Sequence, residues 1–181
     1  MNMNTSININ KIKKLNPNWV TGFVFFFYIK KTAEGCFYIG IIISKSYSTG
    51  WGVKPNFVIK LHKRDKRLLE QIKSFFNEVG RIKVRDNFVY YNVFSKDHLL
   101  NTILPHFEKY PLITEKWNDF ILFKDIINIF DKKEHINKEG LINIINLKAS
   151  LNKGLSEKLR SSFIEVDRKE YRLFCVEPLK F

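Results

Sequence analysis

The order in which the hydrophobic period changes along the chain constrains its fold more than any other feature. Asn16-Pro17-Asn18 reads as a helix start: an Asn side chain accepts from the free N–H groups of a first turn, and Pro17 lacks only a donor that would be unpaired there. A helix is predicted over residues 17–31, crowded with aromatics at Phe23 and Phe25 to Tyr28 and apolar nearly all round. Such a helix is central to a core or buried against a partner. Alternating segments rich in β-branched and aromatic residues then predict a hairpin, 36–44 and 53–61, across a polar turn. Helical spacing at Leu68, Leu69, Ile72, Phe75 and Phe76 predicts a helix over 65–76,. A second hairpin, 81–84 and 88–93, turns at Asp86-Asn87,. Further helices are expected over 96–106, ending around Pro105, and over 116–130, 138–147 and 156–163. Strands come in antiparallel pairs and helices gather at the end, which argues for an α+β fold rather than a doubly wound parallel sheet.

A chain of 181 residues suits one domain, and 45% hydrophobic residues suffice for a core,. The net charge is +13, and a pI near 9.7 points to a polyanionic partner, nucleic acid first,. Lys54 and Lys60 alternate within one expected strand, and Arg81, Lys83 and Arg85 within another. Period two puts each set on one sheet face, a nucleic-acid surface or the solvated side of an antiparallel sheet. Cys36 and Cys175 stand far apart without a CxxC pair, which excludes a disulfide scaffold or zinc knuckle and fits a reducing compartment. The four histidines show no ligand spacing, and Trp19, Trp51 and Trp117 read as packing residues. The run from Trp19 to Ile29 is shorter than the roughly 20 residues of a membrane crossing, so no membrane span is expected. Residues 1–15 read as a polar leader, not a secretory signal. Lys outnumbers Arg 24 to 7, which with abundant Ile, Asn and Phe fits an A+T-rich organellar gene.

Trp19-Val20-Thr21-Gly22-Phe23-Val24, followed by Ala33-Glu34-Gly35-Cys36-Phe37, resembles the signature helix of the LAGLIDADG homing endonucleases. The stretches KSYSTGWGVKPNFVIKLHKRDKRLLEQIKSFF, VYYNV, HFEKYPLITEK and NLKASLNKGLSEKL resemble organellar, intron-encoded members in order and spacing. The resemblance covers residues 16–163 and leaves 164–181 as an extension without a functional reading. It implies an αββαββα core with C-terminal helices, whose curved four-stranded antiparallel sheet straddles duplex DNA, and signature helices that pair through Thr21 and Gly22. It implies that Glu34 helps hold Mg²⁺ (or Mn²⁺) at the scissile phosphates, where the ion activates water and stabilises the leaving oxygen. Lys116 resembles a basic position near the family's active site. Ser44, Lys45, Lys54, Asn56 and Lys60 on the first hairpin, and Arg81, Lys83, Arg85 and Asn92 on the second, would face DNA. Lys and Asn there could read base edges. One signature per chain implies a homodimer on a near-palindromic site, or a partner half. The implied activity is Mg-dependent, site-specific hydrolysis of double-stranded DNA in a mitochondrial setting. The rival is a nuclease-dead protein of the same fold that binds structured intron RNA, as a maturase or a ribonucleoprotein component.

One departure bears on the active site. The family usually joins the equivalents of Val24 and Ala33 through a single acid, whereas here FFFYIKKT intervenes, a net insertion of seven residues with no first acid. If helical, seven residues turn about 700° and add about 10 Å of rise. Three outcomes are open: Glu34 moves two turns from Gly22, the helix slides to put Tyr28 and Ile29 at the close-packing positions, or the insertion loops out with both ends in place. The first two would disturb the metal site.

Overall fold

The expected cap is present at the start of the first helix. In the computed structural model, which describes residues 15–29, 36–152 and 154–163, the Asn16 side-chain oxygen accepts from the N–H groups of Asn18 and Trp19 at 2.9 and 3.3 Å. Helix α1 runs Pro17–Ile29. Strands β1 (Phe37–Ile43) and β2 (Trp51–His62) form the first hairpin, closed where the Ser44 N–H donates to the Gly50 carbonyl at 2.9 Å. Gly50 sits at φ +73°, a backbone region that glycine enters without a steric penalty,. Helix α2 (Lys66–Phe75) leads to β3 (Arg81–Arg85) and β4 (Phe88–Val93). All pairings are antiparallel and the strand order is β1-β2-β4-β3.

The next helix corrects the sequence reading. Lys96–His98, Leu99–Ile103 and Leu104–Lys109 form one run, α3, which passes through Pro105 rather than ending there. Its middle segment is a π turn in which the Leu104 N–H donates back to the Leu99 carbonyl, five residues away. The wider turn immediately before the proline relieves the clash and lost bond that would otherwise break an α-helix. Helices α4 (Glu115–Asp131), α5 (Lys138–Ser150) and α6 (Glu157–Ser162) complete the described chain.

The helices cover one face of the sheet. Phe37, Ile39, Val53, Phe57, Ile59, Leu61, Val89, Tyr91 and Val93 alternate inward and are buried. The Phe37 ring lies 5.2–5.7 Å from those of Phe57, Phe107, Phe120 and Phe123, distances typical of tilted and edge-on aromatic packing. Helix α1 contributes Val20 and Val24, both fully buried. No helix among the described residues is long and apolar enough to cross a membrane. Residues 1–14 of the expected leader (1–15) and the extension 164–181 lie outside the described residues, as does Cys175.

Candidate functional site

The sheet face opposite the helices collects the residues that alternation singled out. The register sets Gly40 opposite Lys54 and Tyr38 opposite Asn56. It sets Val58 opposite Asn92 and Lys60 opposite Tyr90, then Arg81 opposite Asn92, Lys83 opposite Tyr90 and Arg85 opposite Phe88. Side chains directly opposite in an antiparallel pair share a face, so Lys54, Asn56, Lys60, Asn92, Arg81, Lys83 and Arg85 come together across three strands. The four strands contain no Asp or Glu. The carboxylate nearest in sequence is Asp86 in the turn, 3.7 Å from Arg85. Ser44 lies just past β1, its hydroxyl 2.9 Å from that of Ser46, and Lys45 is exposed in the same turn.

Aromatic rings interleave these charges. The Lys60 ammonium stands 3.9 Å from the centre of the Phe88 ring and 5.6 Å from that of Tyr90, and the Arg81 guanidinium 5.3 Å from Phe94. Cation–π contacts of this kind orient a cation without neutralising it. Lys148 of α5, 5.7 Å from the Tyr38 ring, adds a basic residue that strand alternation had no means of finding. Asn56 donates through its amide to the Asn92 side-chain oxygen at 3.2 Å, and its own side-chain oxygen is buried without a hydrogen-bond partner.

Beneath β1 lies a second polar group. Lys116, in the first turn of α4, is fully buried. Its ammonium donates to Asp119 Oδ2 at 3.2 Å and Asn152 Oδ1 at 3.3 Å, and lies 5.2 Å from the Phe37 ring centre. Asp119 Oδ1 accepts the Asn152 backbone N–H at 2.9 Å, and the Asn152 amide donates to the Phe37 carbonyl at 2.7 Å. Burial pushes the neighbouring Cys36 thiol above its usual pKa, while the Lys116 charge acts in the opposite direction. Asp119 and Asn152 escaped sequence reasoning. Asp119 is one helical turn from Lys116, but Asn152 reaches the group through a turn at φ +52°, for which the only signal was a residue type that tolerates that conformation.

Thr21 and Gly22 do not share a face of α1. The Thr21 hydroxyl turns inward, donating to the Tyr110 carbonyl at 3.0 Å and lying 3.2 Å from His106 Nε2. Gly22 is exposed, with no atom of the described residues within 4 Å of where a Cβ would stand. It lies on a stripe with Trp19, Phe23 and Phe26, the i, i+3, i+4, i+7 pattern of one helix face. Trp19 and Phe26 are exposed, and Trp19 stacks on Phe23 at 5.1 Å. His106, one of the four histidines without ligand spacing, is buried in contact with Phe75, Phe76, Phe107 and Tyr110.

The insertion begins as helix, since α1 continues through Phe25 to Ile29. Beyond it, the Cys36 thiol lies 3.8 Å from the Val24 carbonyl, so the chain re-enters at the level it left. Glu34 lies outside the described residues. Among the described residues no group of three or more His, Cys, Asp or Glu could hold a metal ion, and both oxygens of buried Asp119 are already bonded.

Comparison with known proteins agrees with this architecture. The family model described as LAGLIDADG endonuclease matches residues 32–127. Probable intron-encoded endonuclease 2 of Neurospora crassa is 41% identical over 151 residues, which are 82% of this chain and 32% of that protein. An uncharacterized 50.9 kDa protein in ND4 intron 1 of Podospora anserina is 41% identical over 131 residues, 70% of this chain and 27% of its own. Among solved structures, the I-SmaMI LAGLIDADG homing endonuclease bound to cleaved DNA superposes with a TM-score of 0.78 at 41% identity, covering 86% of this chain and 50% of that one. I-SmaMI bound to uncleaved DNA target in the presence of calcium ions gives 0.76 at 42%, covering 84% and 50%. The chain thus spans about a third of these curated relatives and half of each solved chain. With the family model matched over more than half its length and the same four-stranded antiparallel α+β core, the chain belongs to the LAGLIDADG endonuclease family.

Proposed function

We propose that this chain is one half of a site-specific double-strand DNA endonuclease, completed by a second copy of itself. The observation that carries the reading is the sheet face on which Lys54, Lys60, Arg81, Lys83 and Arg85 converge with Asn56 and Asn92 and no strand carboxylate. The cations supply affinity for the phosphate backbone, and the amides can exchange hydrogen bonds with base edges in the major groove. Ser44 and Lys45, at the end of the first hairpin, extend that surface. The DNA-bound state of the similar I-SmaMI structures supports duplex DNA as the partner.

Glu34 is the residue assigned to a divalent cation, Mg²⁺ or Mn²⁺, which when bound supplies an activated water and charge stabilisation at the scissile phosphate. Lys116 contributes a fixed positive charge in a low-dielectric setting, where its field acts more strongly than in water. The return of Cys36 to the level of Val24 supports a retained site, because it brings the residue two positions after Glu34 beside the one that precedes the insertion. The exposed stripe around Gly22 supports pairing, and the doubled length of the solved relatives fits a site built from two halves. An organellar setting is supported by the composition and by the intron-encoded relatives.

The test is selection of a randomised duplex pool by the full chain in Ca²⁺, followed by transfer of the enriched sequences to Mg²⁺. The expected result is enrichment and cleavage by the parent chain, with Glu34→Gln binding the same duplexes and leaving them uncut. Enriched duplexes that stay intact in Mg²⁺, or a preference for structured RNA over every duplex, would replace this reading with that of a nuclease-free binder.

A further inference from the structure

We propose that Asn152 and Asp119 are positioning residues of the cleavage site, tying the Lys116 ammonium to the first residue of β1; this rests on the endonuclease reading above. Three stretches distant in sequence meet at this point. The Lys116 ammonium has three N–H donors, and two of them are directed at Asp119 Oδ2 and Asn152 Oδ1. Asp119 uses its other oxygen on the Asn152 backbone, and Asn152 uses its amide on the Phe37 carbonyl. Each member is thereby oriented by two others, and the group closes on β1 itself.

Stability alone is a poor reason for such a group. A buried ion pair must overcome the desolvation of both charges, and apolar residues of similar volume often do as well or better. The arrangement does something that an apolar plug cannot. Phe37 begins β1 only three positions after Glu34, so the Asn152 amide fixes the strand that follows the candidate metal ligand while its side-chain oxygen fixes Lys116. Phe37 and Lys116 belong to different elements, and Asn152 joins those elements directly. Tolerances of a few tenths of an ångström matter in such a constellation, and they are set by the groups that hold the reacting ones.

The test uses two variants of the full chain on a duplex selected from the randomised pool. Asn152→Gly keeps the φ of +52° accessible and removes both side-chain hydrogen bonds,. Asn152→Asp keeps an acceptor for Lys116 and removes the donor to the Phe37 carbonyl. Single-turnover cleavage in Mg²⁺ is compared with binding in Ca²⁺, and thermal unfolding confirms that each variant folds. Asn152→Gly is expected to cleave at least tenfold more slowly with affinity unchanged within twofold, and Asn152→Asp, which keeps the Lys116 acceptor but not the tie to β1, to be slowed as well. Asn152→Gly cleaving at the parent rate, binding and cleavage falling in proportion, or a folded Asn152→Asp cleaving at the parent rate would each overturn the assignment. An inert parent chain would instead remove the endonuclease reading and the positioning role with it, so the two failures are told apart by the parent alone.

Discussion

At His106 the hydrogen bonds place a proton and burial sets the charge. The Thr21 hydroxyl has one proton, which it gives to the Tyr110 carbonyl, so toward His106 Nε2 it can only accept,. Nε2 therefore carries a proton, and burial among aromatic rings, which lowers the pKa from 6.5 to about 4, keeps the ring neutral near pH 7,. Between these values the unfolded chain binds a proton that the folded chain refuses. The stability that depends on neutral His106 is complete above pH 6.5 and is lost as pH falls toward 4, by at most about 3 kcal/mol. Urea unfolding between pH 4 and 7 checks this: His106→Gln, which keeps a donor but does not titrate, should show a shallower loss than the parent. On the sheet face, the half-buried Asn56 shares an amide hydrogen bond with Asn92, which it can exchange for one to a base edge by rotating its amide,. Asn56→Ala should relax preference at one base pair, by about 1–3 kcal/mol, whereas Lys83→Ala should weaken binding evenly and reduce the salt slope by about 0.9 for each phosphate left without its cation. Competition binding over single-base variants of the selected duplex separates the two. Lys54, Lys60 and Lys83 were legible in the sequence because period two is independent of tertiary structure. Asn152 was not, since what it touches is 36 residues away at Lys116 and 115 away at Phe37.

Elements were legible wherever one residue type or one period dictated the outcome. Both hairpins lie where alternation placed them, since a one-residue slip would turn Phe57, Ile59 and Tyr91 out of the core,. Helix α3 was misjudged at Pro105 because a π turn has no sequence signature of its own, and proline read alone signals a break. The N-terminus of α5 shows a different dependence on local chemistry. Asn137 caps it, accepting the Gly140 N–H at 2.8 Å. A Cβ on Gly140 would collide with the Glu134 carbonyl, which belongs to the short 3₁₀ turn packed against that first helical turn. Backbone cannot yield as a flexible side chain can, so Gly140→Ala should destabilise the fold by about 2–3 kcal/mol despite the better helix propensity of alanine. A lowered urea midpoint with an unchanged m-value is the expected reading. A midpoint equal to that of the parent would mean that the 3₁₀ turn moves aside freely.

The sheet face gathers cations on one surface, and α1 presents exposed apolar residues on another. Trp19 and Phe26 are exposed along α1 and flank Gly22, with the half-buried Phe23 beside them, and the space at Gly22 would allow close approach of a second helix,. Two copies joined there would place two cationic sheets side by side and match the length of the I-SmaMI chain, half of which this chain covers. Gly22→Trp tests this cleanly, because the open space around Gly22 leaves a single domain room for the larger side chain. Helix propensity there should improve by several tenths of a kcal/mol, so loss of pairing is not confounded with loss of folding. Sedimentation equilibrium should find the parent chain dimeric and Gly22→Trp monomeric with an unchanged circular dichroism spectrum. Halving the number of neutralised phosphates should also about halve the dependence of log affinity on log salt. A parent that stays monomeric on the selected duplex and still cuts both strands, or a Gly22→Trp chain that dimerises and cleaves normally, would place the pairing surface somewhere other than α1.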